Sequence, residues 1–144
     1  MSYIKYKKNN LFVENVSVKK LTSKFSTPFY LYSEGSIIEN YKSFSNNFKK
    51  SKPLICFSVK ANSNIQILKV LKKLGSGADV VSGGELLKAI KSGIKPNKIV
   101  FSGVGKTEEE IRLAINKNIL LINVESENEA ILINKIAGKL KKRT

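Results

Sequence analysis

The chain has 144 residues, of which 42% are hydrophobic and 26% charged, so it is not a collagen, a disordered chain or a disulfide scaffold. Its net charge is +15, but only Arg112 and Arg143 among its 26 basic residues are arginines, and we expect no specific nucleic-acid binding. A lone cysteine, Cys56, and the lack of a signal peptide or of ~18 consecutive apolar residues favour a reducing, cytoplasmic setting without membrane contact.

The first part of the chain gives weak structural signals. Residues 1–26 are polar and rich in lysine, with two short apolar clusters. Residues 27–33 (TPFYLYS) are aromatic, and we predict a strand that begins near Pro28. A helix is predicted from Ser36 to Phe48, with Ser36 and Glu39 as a capping pair.

From residue 53 onward, short apolar runs alternate with amphipathic helical patterns. Strands are predicted over 53–59, 78–81, 98–101 and 119–123, and helices over 65–74, 85–91, 108–117 and 127–140. Consecutive parallel strands need such crossover helices. The sequence therefore predicts an α/β fold with four βα units and a parallel sheet.

Capping pairs at the helix starts support this reading. Serine or threonine three residues before glutamate or glutamine satisfies two backbone N–H groups at a helix start. The pairs are Ser63/Gln66, Ser82/Glu85, Thr107/Glu110 and Ser126/Glu129. Each follows the carboxyl end of a predicted strand, the edge at which parallel α/β folds bind ligands.

The residue types exclude several chemistries. Without histidine, and with one cysteine and one aspartate (Asp79), the chain cannot form a Ser-His-Asp or Cys-His triad or a zinc cluster. A phospho-receiver would need a second acidic residue beside Asp79. Residues 103–107 (GVGKT) lack the first glycine of a Walker phosphate loop.

Lys60 is the strongest candidate for a reactive group. Side-chain alternation puts Ile55, Phe57 and Val59 on one face of the strand, and Leu54, Cys56, Ser58 and Lys60 on the other. The second face suits the inside of a barrel mouth, and a sheltered lysine there could act as a Schiff-base nucleophile. From position alone, a solvated surface lysine is the alternative.

Four stretches in chain order resemble the fold-type III, alanine-racemase-like pyridoxal-phosphate decarboxylases. They are residues 27–32 (TPFYLY), 57–62 (FSVKAN), 77–85 (GADVVSGGE) and 93–103 (GIKPNKIVFSG). The second resembles the Tyr-Ala-x-Lys-Ala-Asn signature around the cofactor lysine of that family, with Phe57 where the family often has tyrosine. The similarity extends from about residue 11 to the end of the chain.

The resemblance implies a partial (β/α)8 TIM barrel that binds pyridoxal 5'-phosphate. Residues 35–144 would form its first half, and residues 1–34 would contribute to a C-terminal β-domain. Lys60 would bind the cofactor covalently, and Asp79 and Glu85 would lie around it. Ser82 and Asn62 would line the pocket or only cap helices. An unpaired carboxylate among apolar neighbours is costly, so we expect a cationic partner for Asp79, with Lys60 the nearest candidate.

The resemblance also implies an activity. Within the family the match is strongest to members that decarboxylate meso-2,6-diaminopimelate to L-lysine, with ornithine, arginine or carboxynorspermidine as alternative substrates. The family's groups for the phosphate, the pyridine nitrogen and the substrate come later than residue 144. We therefore expect an N-terminal fragment that is inactive alone, from an enzyme that forms a homodimer. The non-enzymatic alternative is a basic α/β module that binds polyanions.

Overall fold

The computed structural model describes residues 3–48 and 50–143. Internal contacts divide the chain into two units, Met1–Asn47 and Phe48–Thr144. Among these described residues, the first unit contains a small antiparallel sheet and two α-helices, and the second contains a parallel sheet and four α-helices. None of the helices in the described part of the chain is long and apolar enough to cross a membrane.

The N-terminal unit begins with three antiparallel strands that the sequence analysis missed. They are β1 (Ile4–Lys7), β2 (Asn10–Val13) and β3 (Val16–Ser17), paired in the order β1-β2-β3. The β1–β2 turn uses Lys8 and Asn9, both with positive φ (46° and 61°), as the favoured two-residue hairpin turn requires. Asn9 was the sequence signal for this hairpin, because asparagine tolerates that conformation.

Two short-range predictions in this unit are wrong, namely the strand over residues 27–33 and the Ser36/Glu39 capping pair, although the predicted helix itself is present. Residues 27–33 form no strand, because among the described residues this segment makes no backbone hydrogen bond to β1, β2 or β3, and a strand needs such a partner. After α1 (Val18–Thr22), helix α2 spans Glu34–Asn46 and is capped by Ser33, whose Oγ accepts the Ser36 N–H at 3.0 Å. Glu14 Oε1 accepts hydrogen bonds from Ser33 Oγ and Gly35 N–H, so a contact distant in sequence sets the helix start.

The second unit has the predicted α/β organisation. Its parallel strands are β4 (Cys56–Ser58), β5 (Gly77–Val80), β6 (Ile99–Phe101) and β7 (Leu121–Ile122), in the order β4-β5-β6-β7. The helices that follow them are α3 (Ile65–Lys73), α4 (Gly83–Lys91), α5 (Glu108–Lys117) and α6 (Glu127–Lys139). β4 and β7 are shorter than predicted, since each pairs with a neighbour on one side only.

One face of this sheet and the helices form the core. Phe101, Ile99 and Val80 on the strands are fully buried with Leu86 and Ile111 on the helices. The predicted alternation is confirmed for Phe57, which packs against this core, and for Val59, which belongs to it, whereas Lys60 lies beyond the strand in a 3₁₀ turn. Residues of the opposite parity, including Ser58 and Asp79, therefore project from the other face at the carboxyl ends of the strands.

Helix capping agrees with the prediction at three of the four starts. Thr107 and Glu110 form the full capping box, and Ser82 and Ser126 each accept the N–H of the predicted glutamate. Ser63 is not a cap. Asn64 takes that place and accepts the Gln66 N–H at 2.9 Å, so the cap lies one residue later than predicted, while α3 begins at Ile65 as predicted.

Candidate active site

A row of polar side chains crosses the four parallel strands where they end. Ser58 Oγ donates to Asp79 Oδ2 at 3.4 Å, and Ser102 Oγ donates to Asp79 Oδ1 at 2.5 Å. Asn123 Nδ2 donates in turn to Ser102 Oγ at 2.9 Å. Parallel register explains the row: Ser58 pairs with Asp79, and the Ser102 and Asn123 backbones bond to Val80 and Phe101 just beyond β6 and β7.

Asp79 lies at the centre of this row and is half-buried. Its partners are two hydroxyl groups, whereas a cation was expected. Across residues 3–48 and 50–143, no lysine or arginine nitrogen lies within ion-pair distance of its carboxylate. The hydroxyls satisfy the carboxylate without neutralising its charge, so Asp79 presents a negative group that can stabilise a positive charge on a bound molecule.

Lys60 lies directly after β4, in a 3₁₀ turn over Val59–Ala61. Val59 is fully buried and anchors the turn, and Asn62 closes it by donating its N–H to Val59 O at 3.0 Å. The Lys60 side chain is exposed, and its Nζ has no hydrogen bond or ion pair within the described residues. Lys60 thus offers an unpaired amine at the carboxyl edge of the sheet, from a turn instead of the strand itself. Within the described residues it is exposed, whereas a sheltered lysine was expected, because the turn directs it away from the packed strands.

Glu85 has a structural contact of its own. Its Oε2 accepts the Val81 N–H at 2.9 Å, and its own N–H donates to Ser82 Oγ. The carboxylate thereby holds the end of β5, two residues after Asp79. Glu85 Oε1 has no partner in the part of the chain that the structure describes, so this oxygen can still meet a ligand.

The remaining polar candidates have capping contacts. Ser82 caps α4, and Asn62 Oδ1 accepts the Asn64 N–H at 3.0 Å. Burial raises the pKa of the Cys56 thiol, and the charge of Asp79 acts in the same direction. A thiol that holds its proton is a poor nucleophile, so Cys56 does not compete with Lys60.

Ser102 and Asn123 were missed as site residues. Ser102 directly follows β6 and Asn123 directly follows β7, and by side-chain alternation both lie on the same face of the sheet as Asp79. A polar residue in this position at a strand end was the signal in the sequence. The sequence alone did not supply the register of the strands, which decides whether such residues meet.

A neighbouring carboxylate ties two of the helix starts at this edge together. Glu110 Oε1 accepts the Gly83 N–H at 2.7 Å and its Oε2 accepts the Thr107 N–H at 3.1 Å. These two backbone bonds hold the pKa of Glu110 below its ordinary value of 4.5, although burial opposes them. Its stabilising contribution is therefore complete above that value and is lost as the pH falls through the lowered pKa.

We expect Glu110→Gln to flatten the acid side of the stability profile. The unfolding temperature of the wild type should fall more steeply than that of the variant as the pH drops below about 4.5. Glu109→Gln, an exposed change in the same helical turn, is the matched control and should follow the wild type. Parallel profiles for wild type and Glu110→Gln from pH ~6 to ~3 would contradict this assignment.

Comparisons with known proteins agree with the geometry. A family model described as pyridoxal-dependent decarboxylase, pyridoxal binding domain, matches residues 34–143. A diaminopimelate decarboxylase of Aquifex aeolicus is 48% identical over 141 residues, which are 98% of this chain and 33% of the relative. One from Haemophilus influenzae is 43% identical over 142 residues, 99% of this chain and 34% of the relative.

Solved structures give the same result. A crystal structure of an Aquifex aeolicus protein matches with a TM-score of 0.94 at 48% identity, over 99% of this chain and 35% of that one. The diaminopimelate decarboxylase of M. jannaschii, solved with L-lysine, matches with a TM-score of 0.92 at 41% identity, over 96% and 33%. The chain thus spans about a third of the length of these relatives. With the family model matching most of its residues, the chain belongs to the pyridoxal-dependent decarboxylases, through their pyridoxal binding domain.

Proposed function

We propose that this chain is the N-terminal part of an enzyme that decarboxylates meso-2,6-diaminopimelate to L-lysine and CO₂. The observation that carries the proposal is the unpaired Lys60 amine at the carboxyl edge of a parallel sheet that also presents Asp79. Support for the substrate comes from the relatives in Aquifex aeolicus and Haemophilus influenzae, which are diaminopimelate decarboxylases.

The strand order supports a partial (β/α)8 barrel. Strands β4 to β7 are neighbours in chain order and each is followed by a helix. A barrel has this order, whereas a doubly wound sheet reverses it at a switch point. We propose that residues 35–144 form the first half of such a barrel. Residues 1–34 would contribute to a β-domain. Two observations support this: residues 3–34 include the antiparallel strands β1 to β3, and none of their side chains is fully buried.

The residues present fit pyridoxal 5'-phosphate. Its aldehyde needs an amine, which Lys60 supplies without having to break an existing contact among the described residues. Its ring carries positive charge when the nitrogen is protonated, and Asp79 on β5 and Glu85, which accepts the Val81 N–H just after β5, place two carboxylates near the end of this strand. We propose that Lys60 holds the cofactor covalently and that Asp79 and Glu85 orient it.

Each residue then has a distinct task. When bound, pyridoxal phosphate supplies the electron sink that accepts the electron pair left by departing CO₂. Lys60 would hold the cofactor through its amine. Asp79, fixed by Ser58 and Ser102, would present its carboxylate to the cofactor at the carboxyl edge of the sheet. Glu85 holds the end of β5 through Val81 and offers its second oxygen to the site.

A polyanion-binding module explains the contacts of the lysines less well. Lys98, Lys106 and Lys142 all donate to backbone carbonyls, of Gly75, of Gly103 and Asn123, and of Ile115 and Asn116 respectively. Hydrogen bonds within the protein thus engage the ammonium groups of these three lysines, of which Lys106 is buried, so the net charge overstates the cations available to a polyanion. The proposal includes a homodimer, on the basis of the family resemblance. It also includes a cytoplasmic location, which the free thiol of Cys56 supports.

The test uses the complete gene product, meaning the protein encoded by the whole reading frame that contains residues 1–144. Purified with pyridoxal phosphate, it should release CO₂ and L-lysine from meso-2,6-diaminopimelate. Turnover of L-ornithine, L-arginine and carboxynorspermidine should be at least ~100-fold slower, since a site that hydrogen-bonds one substrate rejects analogues lacking its polar groups. Preference for one of these three would overturn the substrate assignment, and a folded gene product that binds no pyridoxal phosphate would overturn the function.

A further inference from the structure

A buried lysine lies in the loop that connects β6 to α5. The side chain of Lys106 is only 1% exposed. Its Nζ donates to Gly103 O, to Asn123 O and to Glu129 Oε1, each at 2.7 Å. All three ammonium hydrogens thus have acceptors, and Glu129, whose side chain is 10% exposed, supplies the balancing charge.

These contacts join two loops at the carboxyl edge of the sheet. Gly103 and Lys106 belong to the β6–α5 loop, whereas Asn123 and Glu129 lie after β7 and in the first turn of α6. A second pair of contacts strengthens the junction: Glu125 Oε1 accepts the Gly103 N–H at 3.1 Å, and Glu129 Oε2 accepts the Glu125 N–H at 2.7 Å. The junction therefore holds the loop after β6 and the loop after β7 in fixed positions relative to each other.

Asn123 connects this junction to the carboxylate of the site. Its backbone carbonyl is held by Lys106, while its side-chain Nδ2 donates to Ser102 Oγ at 2.9 Å. The Ser102 hydroxyl has a single hydrogen, which it donates to Asp79 at 2.5 Å. Because the Asn123 donor occupies a lone pair of Ser102, the direction of this hydroxyl toward Asp79 is set by Asn123.

We propose that Asn123 and Ser102 are positioning residues for Asp79, and that the buried Lys106–Glu129 pair anchors them. The inference rests on the proposed function, since it assigns a purpose to the orientation of Asp79. It adds four residues, Ser102, Lys106, Asn123 and Glu129, that neither bind the cofactor covalently nor replace Asp79. Their effect on the reaction is to hold the carboxylate in one orientation, which matters because small misplacements of reacting groups cost on the order of 100-fold in rate.

The most informative substitution is Asn123→Asp in the complete gene product. Aspartate has nearly the shape of asparagine but lacks the Nδ2 donor, so a positioning role predicts a loss of on the order of 10- to 100-fold in kcat for both Asn123→Asp and Asn123→Ala. Ser102→Ala should behave similarly, whereas Ser102→Thr, which keeps the hydroxyl, should retain most of the activity. Asn123 is exposed and Ser102 is only half-buried, so these variants should fold.

The second readout is the visible circular dichroism of bound pyridoxal phosphate, which reports the asymmetry around the cofactor independently of turnover. It should change in Asn123→Asp and in Lys106→Met. Lys135→Met, an exposed lysine on the same helix as Glu129, is the matched control and should leave it unchanged.

The outcomes separate this inference from the proposed function. If the wild type binds pyridoxal phosphate and turns over, but Asn123→Asp keeps wild-type kcat and dichroism, the positioning role is wrong and the proposed function stands. If Lys106→Met lowers the unfolding temperature without changing the dichroism, Lys106 has a structural role only. If the wild type itself binds no cofactor, the proposed function fails first.

Discussion

Lys60→Ala in the complete gene product is expected to abolish covalent cofactor binding and to lower decarboxylation by at least ~1000-fold, because no other nucleophile replaces the missing amine. The fold should hardly change. Lys60 is exposed and makes no hydrogen bond or ion pair within the described residues, and surface substitutions of this kind alter the free energy of unfolding by about 0.5 kcal/mol or less. Absorbance of the bound cofactor, initial rates and thermal unfolding measure these three quantities.

Lys69→Ala is the matched control for Lys60→Ala. Lys69 is an exposed lysine on α3, the helix that follows the Lys60 turn, and its loss removes the same charge close by in the chain. Cofactor absorbance and turnover should stay at the wild-type level. Activity of Lys60→Ala above about a thousandth of wild type would remove Lys60 from the mechanism.

Asp79→Asn is expected to lower kcat by on the order of 100-fold while leaving stability almost intact, since preorganised charge contributes about this much to catalysis. Asparagine has nearly the same shape, and its oxygen can still accept the hydrogen bond from Ser102. What the variant lacks is the negative charge. Rates and unfolding temperatures measured on the same preparation give the comparison.

A proportional loss of stability and activity in Asp79→Asn would make Asp79 a structural residue. Glu109→Gln also removes one carboxylate charge, from an exposed position in the first turn of α5, and should change neither quantity. Both variants change the net charge of the protein equally, so a difference between them shows the effect of where the lost charge was located.

The second unit could be predicted from sequence because its signals are local. Apolar runs and amphipathic periods define β4 to β7 and α3 to α6, and the Thr107/Glu110 pair lies within one helical turn. The N-terminal unit was harder. The cap of α2 depends on Glu14, which is 19 residues away from Ser33, and no periodicity indicates such a contact.

The candidate site was predicted in part for the same reason. Lys60 could be placed at the end of its strand from alternation, and a family motif identified it. The partners of Asp79 could not be predicted, because Ser58 and Ser102 come from neighbouring strands and meet it only in the observed register. An apolar neighbourhood indicated that Asp79 needs partners, but hydroxyl groups satisfied that need in place of the expected cation.

The most direct measurement of the central claim is chemical labelling of Lys60. The complete gene product is incubated with pyridoxal phosphate, reduced with borohydride to make the link permanent, digested and analysed by mass spectrometry. We predict a phosphopyridoxyl group on the peptide that contains Lys60, at near-stoichiometric yield, with Lys69 and Lys106 unlabelled. Label spread over surface lysines, or concentrated on a lysine other than Lys60, would contradict the account.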